Sequence, residues 1–401
     1  MFASRLRAGA IAPWAMFFAL GCAAPEVLRW RAQAAPGHAP QLVAPASSLA
    51  IAAPVREADA RWASPAFHLK PRSQSRVPAP ADAPSAHASA LAAWPNGDLM
   101  VWWWAGARES APDVAIYSSR WSAGQWSAAR RVLTREQLGS QLGFAVRRLG
   151  NPSVWIATNG SVHLYVVATG LGGWAASRVV HLVSSDQGEH FNALRVLAVS
   201  PLLNTSVLVR TRPVALSDGG WLLPAYFELG NKYPLVVAFD ANGVPAGMRR
   251  IGRSTSSLQP ALFTVSATEL RALMRDNGPQ RRVQQAFSPD AGRHWLDEPG
   301  GELINHDSSL AGITLAQGGH VLVHNDSLPA PATPRQWLRL STSNDAKRWV
   351  ASQDVRRGAA GEEYSYPSVV QVGDQLHVSY TSQRKEIGHS VFDILPGAAP
   401  P

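Results

Sequence analysis

The chain has 401 residues, with 37 Lys and Arg against 28 Asp and Glu, a formal net charge of +9. Charged residues make up only 16% and hydrophobic ones 46%, which excludes a disordered charged tail and a coiled coil, both far richer in charge. One Cys excludes an internal disulfide framework and any cysteine-based zinc site. The basic surplus is built from 33 Arg against 4 Lys, scattered without a block of three. Scattered Arg does not make a phosphate-tracking stripe, so no nucleic-acid partner is expected.

The N-terminus reads as export. Arg5 and Arg7 precede an uncharged run from Ala8 to Ala24, long enough for a signal h-region and short for a membrane span. Cys22 lies in Ala-Leu-Gly-Cys, close to a lipoprotein cleavage box, and Ala32-Gln33-Ala34 offers a small-residue cleavage site. Residues 1–34 are therefore expected to be a signal peptide or membrane anchor. That predicts a periplasmic or extracellular location and allows peripheral membrane association. Residues 35–80, rich in Ala and Pro, are expected to be linker, with room for one edge strand near Phe67-His68-Leu69. Pro78, Pro80 and Pro84 forbid a central strand there. Residues 81–395 form the expected domain, and residues 396–401 a disordered tail.

From His87 onward a polar turn followed by an alternating apolar strand recurs. Pro95-Asn96-Gly97-Asp98 precedes Leu99 to Trp103, and Thr158-Asn159-Gly160-Ser161 precedes Val162 to Val166. Similar units are marked by Gly219, Thr268, Gly318 and Gly373, at steps of 63, 59, 49, 50 and 55 residues from Gly97. Asn-Gly and Gly-Gly supply the positive φ of tight hairpins, and alternation makes the strands half-buried. Six units at this period predict an all-β, six-bladed propeller. A β-sandwich is the alternative.

A second motif lies between these units. Ser184-Ser185-Asp186-Gln187-Gly188-Glu189-His190-Phe191 and Ser288-Pro289-Asp290-Ala291-Gly292-Arg293-His294-Trp295 share one spacing; Thr342 to Trp349 is a worn copy, and Ser119 to Trp126 keeps only Ser and Trp. Asp caps backbone N–H groups, Gly takes the left-handed position and the aromatic plugs the neighbouring sheet. These are structural turns, with Phe191 and Trp295 expected to be buried.

These Asp boxes on six strand units resemble the sialidase (neuraminidase) superfamily with BNR repeats, over about residues 85 to 393. The resemblance implies an axial site with Arg residues for a substrate carboxylate, a Tyr nucleophile, a Glu that takes its proton and a carboxylic acid. It places Tyr364, in Glu363-Tyr364-Ser365-Tyr366-Pro367, as nucleophile, with Tyr366 the alternative if the register is off by two. It makes Arg275 and Arg335 carboxylate binders and Glu109 or Asp113 the acid. Two positions depart from the family: His87 stands where the first Arg belongs, and Gln259 where the activating Glu belongs. Both are expected to contact substrate. Arg178, Arg210, Arg212, Arg384, Asp307 and Asn325 are reserve candidates.

No metal-ligand cluster or phosphate loop is visible, so no metal and no cofactor are expected. Two readings follow: an exported sialidase-like exo-glycosidase for an acidic sugar, or a catalytically silent propeller that binds glycans or proteins. Convergence of the candidate residues on one pocket favours the first.

Overall fold

A computed structural model describes residues 41–43, 67–199, 204–326 and 335–397. The expected signal or anchor segment and the last residues of the tail lie outside them. Six antiparallel sheets are arranged as the blades of a propeller. A strand β1 (Phe67–Val77) comes first in the chain. Blade one holds β2 (Ser85–Ala93), β3 (Leu99–Gly106), β4 (Ala115–Ser122), β5 (Gln125–Trp126) and β6 (Arg130–Leu133). A short helix α1 (Arg135–Leu142) follows. Blade two holds β7 (Arg148–Ile156), β8 (Val162–Thr169), β9 (Ser177–Ser184) and β10 (Asn192–Val196). Blade three holds β11 (Val207–Val209), β12 (Val214–Ala215), β13 (Trp221–Phe227), β14 (Tyr233–Phe239) and β15 (Pro245–Arg250). Blade four holds β16 (Ser257–Thr264), β17 (Leu270–Asp276), β18 (Gln284–Ser288) and β19 (Leu296–Glu298). Blade five holds β20 (Ala311–Thr314), β21 (His320–Asn325), β22 (Trp337–Ser343) and β23 (Val350–Arg357). Blade six holds β24 (Tyr364–Val372), β25 (Gln375–Ser382) and β26 (Glu386–Pro396), with β1 as its outermost strand.

The placement of β1 corrects the expected boundary at residue 81. The domain takes in the end of the stretch read as linker, because β1 pairs with β26 from Phe67↔Pro396 to Val77↔Ile387. Joining both ends of the chain in one blade closes the ring without an open edge between first and last units. Phe67 and Leu69 enter the apolar layer between blades five and six. Pro71 sits where the register shifts, on an edge strand where a missing N–H leaves no central ladder bond unmade.

The Asp boxes form the hairpin turns between the third and fourth strands. Ser184 Oγ donates to Asp186 Oδ1 at 2.6 Å, and Asp186 Oδ1 accepts the His190 N–H at 2.9 Å. Asp290 repeats both contacts with Ser288 and His294, and Asp345 with Ser343 and Arg348. Gly188 has φ +85, and a Cβ there would meet Trp102 of blade one at 2.9 Å. The box of blade two thus presses on the blade before it. Phe191 is buried as expected. Trp295 is only half-buried, because its indole folds over its own turn and donates to the Gly292 carbonyl at 3.0 Å.

The innermost strands carry the feature that shapes the axis. The register shifts between His87 and Ala90 in β2, Leu258 and Ala261 in β16, and Ser365 and Ser368 in β24. In each gap one non-glycine residue has positive φ: Ala88 at 56°, Gln259 at 49° and Tyr366 at 52°. A left-handed L-residue costs about 1–2 kcal/mol, and such bulges re-aim side chains. Three blades hold the same strained residue at the same level of the channel.

Candidate active site

Tyr366 is the centre of the axial cluster. Its ring lies 4.1 Å from the His87 imidazole centroid, and the Arg210 and Arg335 guanidiniums stand 5.3 and 5.5 Å from its centroid. Arg275 Nη1 is 3.4 Å from its hydroxyl. Burial alone would push the phenol up, but Arg275 and Arg335 outweigh it and hold Tyr366 below its ordinary value.

Each arginine is aimed by the loop or strand that carries it. Arg275, in β17, is buried and donates through Nε to Asp307 Oδ1 at 2.6 Å. Arg335 donates to Glu363 Oε1 at 3.1 Å and to the Asp307 carbonyl at 3.2 Å. Its own carbonyl accepts the Tyr364 N–H at 2.8 Å. Arg384 sits in the β25–β26 turn at φ 56° and donates to Glu363 Oε2 at 2.9 Å and to Glu109. Arg210 reaches from blade three to the carbonyls of Ser89 in blade one (3.1 Å) and Pro367 in blade six (2.7 Å). Burial lowers Arg210 to about 10. His87 is driven well below its ordinary value, first by burial and then by Arg384, Arg335, Arg210 and Arg275. It is a neutral imidazole among four cations.

Tyr226, at the end of β13, lies near enough to Tyr366 to feel its charge. Its hydroxyl accepts from Gln259 Nε2 at 3.2 Å and from Asn151 Nδ2 at 3.4 Å. Burial first, then Glu228 and Tyr366, raise its pKa. Burial also raises Glu228, against the pull of Arg275 and Lys232. Glu363 and Asp307 are lowered by their arginine partners, which outweigh burial.

The structure therefore brings together Arg275, Arg335, His87 and Gln259 from the expected set, with Glu109 at the rim. It does not bring Tyr364. That residue packs in the apolar layer of blades five and six, its hydroxyl donating to Glu362 Oε2 at 3.2 Å and Arg356 lying 5.1 Å from its ring centroid. The reason is the bulge: inserting the left-handed residue turns Tyr366, not Tyr364, into the channel. Asp113 also stays outside the cluster. It is exposed, and its carboxylate accepts the Ala107 N–H at 2.7 Å, capping its own loop. Of the reserve residues, Arg210, Arg384 and Asp307 join the cluster. Asn325 donates to the Tyr364 carbonyl at 2.8 Å as a strut between blades. Arg178 stacks near Phe144 in blade two. Arg212 opens onto the far end of the channel.

Tyr226 and Glu228 were missed by sequence reasoning, because they lie at a strand end with no motif around them. The position of Tyr366 did leave a signal. Tyr366-Pro367-Ser368 repeats the pattern of Asn151-Pro152-Ser153 and Gln259-Pro260-Ala261, which aligns Tyr366 with Gln259 at the bulge.

The sequence matches the model of the BNR repeat-like domain over residues 97–378. The chain belongs to that family. No curated protein matches it by sequence. Among solved structures it is similar to a protein of unknown function from Dyadobacter fermentans, at 13% identity and TM-score 0.65, covering 82% of this chain and all of that one. It is similar to a Hadza microbial sialidase at 15% identity and TM-score 0.64, covering 79% of this chain and 66% of that one. It is similar to the Trypanosoma rangeli sialidase in complex with sialic acid at 15% identity and TM-score 0.60, covering 83% of this chain and 59% of that one. These likenesses establish the sialidase-like propeller fold of this BNR-repeat protein. Among its described residues no helix is long and apolar enough to cross a membrane.

Proposed function

We propose that this BNR-repeat protein is a sialidase-like exo-glycosidase acting on a carboxylate-bearing sugar, exported by its N-terminal segment. The observation that carries the reading is the phenol of Tyr366, half-buried on the axis with Arg275 Nη1 3.4 Å from its hydroxyl, and with Arg275 and Arg335 holding its pKa below the ordinary value against burial. Gln259 cannot take the phenol's proton, so electrostatics replaces the missing base. The two guanidiniums raise the phenolate fraction, and the proton leaves to solvent before attack. Arg275, Arg335 and Arg384 then hold the substrate carboxylate, since a planar fork matches it bidentately.

The phenolate oxygen attacks the anomeric carbon as the glycosidic C–O bond breaks. Glu228, which burial keeps protonated to higher pH than an ordinary carboxyl, gives its proton to the leaving oxygen. Water then cleaves the glycosyl–tyrosine bond, its proton returning to Glu228 and its hydroxyl to the sugar. Glu109 and Glu363 keep Arg384 extended over the site.

A second reading rests on Gln259 itself. With the activating carboxylate gone, the same cluster serves as a silent receptor for an acidic glycan. A screen of the purified protein on aryl glycosides of acidic and neutral sugars separates the two. Hydrolysis of an acidic glycoside that vanishes in Tyr366→Phe supports the enzyme. Binding of the free acidic sugar without turnover by the native protein supports the receptor.

A further inference from the structure

The propeller channel has a second mouth, on the face opposite Tyr366. It opens into a cavity of about 560 Å³ lined by the innermost strands of all six blades and by Val43 of the short N-terminal piece beside blade three, a size suited to a small organic ligand. Its wall is mostly apolar, with Leu91, Leu262, Ile313 and Val370 facing in from blades one, four, five and six. Arg212 also lines it. No carboxylate stands among its lining residues, and among the described residues the guanidinium of Arg212 has no hydrogen-bond or ion-pair partner. Every other arginine of the axis is paired: Arg275 with Asp307, Arg335 with Glu363, Arg384 with Glu109 and Glu363, and Arg210 with two carbonyls. Trp155, on the same wall, has an indole N–H that is buried without a partner.

Arg212 is half-buried, so its guanidinium is reachable from the chamber and open to an anionic partner there. One unpaired guanidinium in a largely apolar chamber matches a ligand that supplies oxygen acceptors at one end and hydrocarbon over the rest. We propose that this chamber is a second binding site, for a small monocarboxylate with an apolar body, its carboxylate on the Arg212 fork and its hydrocarbon against Leu91, Leu262, Ile313 and Val370. Inorganic phosphate shares the guanidinium chemistry but would leave the apolar wall unused. Arg210, bonded across the channel from blade three to blades one and six, lies between this chamber and Tyr366. The chamber therefore binds independently of the catalytic reading.

The test is ¹⁹F NMR of 4-fluorobenzoate with the full chain, the Arg212→Gln variant and the Arg275→Gln variant, with inorganic phosphate as competitor. Binding is expected at millimolar concentration, weakened at least tenfold in Arg212→Gln, retained in Arg275→Gln and little displaced by phosphate. Binding that survives Arg212→Gln unchanged, no binding by the native chain, or full displacement by equimolar phosphate overturns the proposal. Should Arg212→Gln fail to fold, crystals of the native protein soaked in 4-bromobenzoate decide: a bromine signal in the chamber with the carboxylate at Arg212 supports the site, and an empty chamber removes it.

Discussion

Arg275 Nη1 lies 3.4 Å from the hydroxyl of Tyr366, while its Nε is tied to Asp307 at 2.6 Å. The carboxylate fixes the guanidinium, and the guanidinium acidifies the phenol. A tyrosine of ordinary pKa near 10 is a poor nucleophile at neutral pH. In the proposed mechanism, Asp307 and Arg275 together favour the phenolate of Tyr366 without a base beside it.

Tyr366→Phe is expected to lower turnover of an acidic aryl glycoside at least ~10³-fold, roughly what losing a covalent nucleophile's chemistry entails. Tyr364→Phe is expected to keep turnover and lose about 0.5–1.5 kcal/mol of stability with its bond to Glu362. Steady-state kinetics and denaturant midpoints on both variants check this; equal losses of turnover would remove Tyr366 from its assigned place.

With a nitrophenyl glycoside, whose leaving oxygen needs little help from the Glu228 proton, the rate should rise with pH on its alkaline side. If Tyr366 reacts as the phenolate, its lowered pKa lets the active form accumulate as pH climbs toward a value below the ordinary ~10. Arg275→Gln removes the largest lowering cause and is expected to move that limb to higher pH. A kcat/KM profile with an alkaline limb unmoved in Arg275→Gln would contradict the electrostatic activation.

Glu228→Gln should be selective among leaving groups. An acid matters most where the leaving oxygen is basic. Turnover of a methyl glycoside is expected to fall far more than that of a nitrophenyl glycoside. Equal effects on both substrates would assign Glu228 to positioning.

Stability should decline in acid through two buried histidine pairs. His163 Nδ1 and His181 Nε2 are 2.8 Å apart, and His377 Nδ1 and His389 Nε2 3.1 Å. Burial, with further lowering from neighbouring cations or the paired imidazole for all but His377, takes them to about 4, 2, 4 and 3 respectively. The unfolded chain takes up protons near pH 6.5 and the folded one does not. Their stabilisation is therefore complete above pH 6.5 and is lost progressively as pH falls toward 4 and below. The thermal midpoint should drop across that window, and His389→Gln should flatten the slope while lowering the midpoint at pH 7.

Closure of the ring by β1 is tested by Leu69→Ala. Leu69 is 1% exposed in the layer shared with blade five, so truncation is expected to cost about 2–5 kcal/mol. A linker residue at this position would cost almost nothing. Asp290→Ala, in an Asp box away from the axis, is expected to lower the thermal midpoint and leave turnover unchanged.

Local chemistry decided much of this protein in advance. Period-two alternation from Leu99 to Trp103 and from Val162 to Val166, each after an Asn-Gly turn, needs only neighbouring residues to be read, and it recurs six times. That was enough to name strands, blades and Asp boxes, because turn φ and strand facing are local properties. Arg275 and Arg335 were legible through the family resemblance, which matched them to carboxylate-binding positions. What the sequence left open depends on contacts made across the ring. Strand β1 belongs to blade six only because its partner β26 lies more than three hundred residues away. Tyr366 rather than Tyr364 faces the axis because a bulge slips β24 out of simple alternation. Arg384 and Arg210 reach the site from a hairpin turn and from blade three, and their partners Glu109, Ser89 and Pro367 are set by ring closure alone. Arg210 and Arg212, two residues apart in one loop, end at opposite mouths of the channel. Their local sequence does not distinguish them, and only the packed axis separates one from the other.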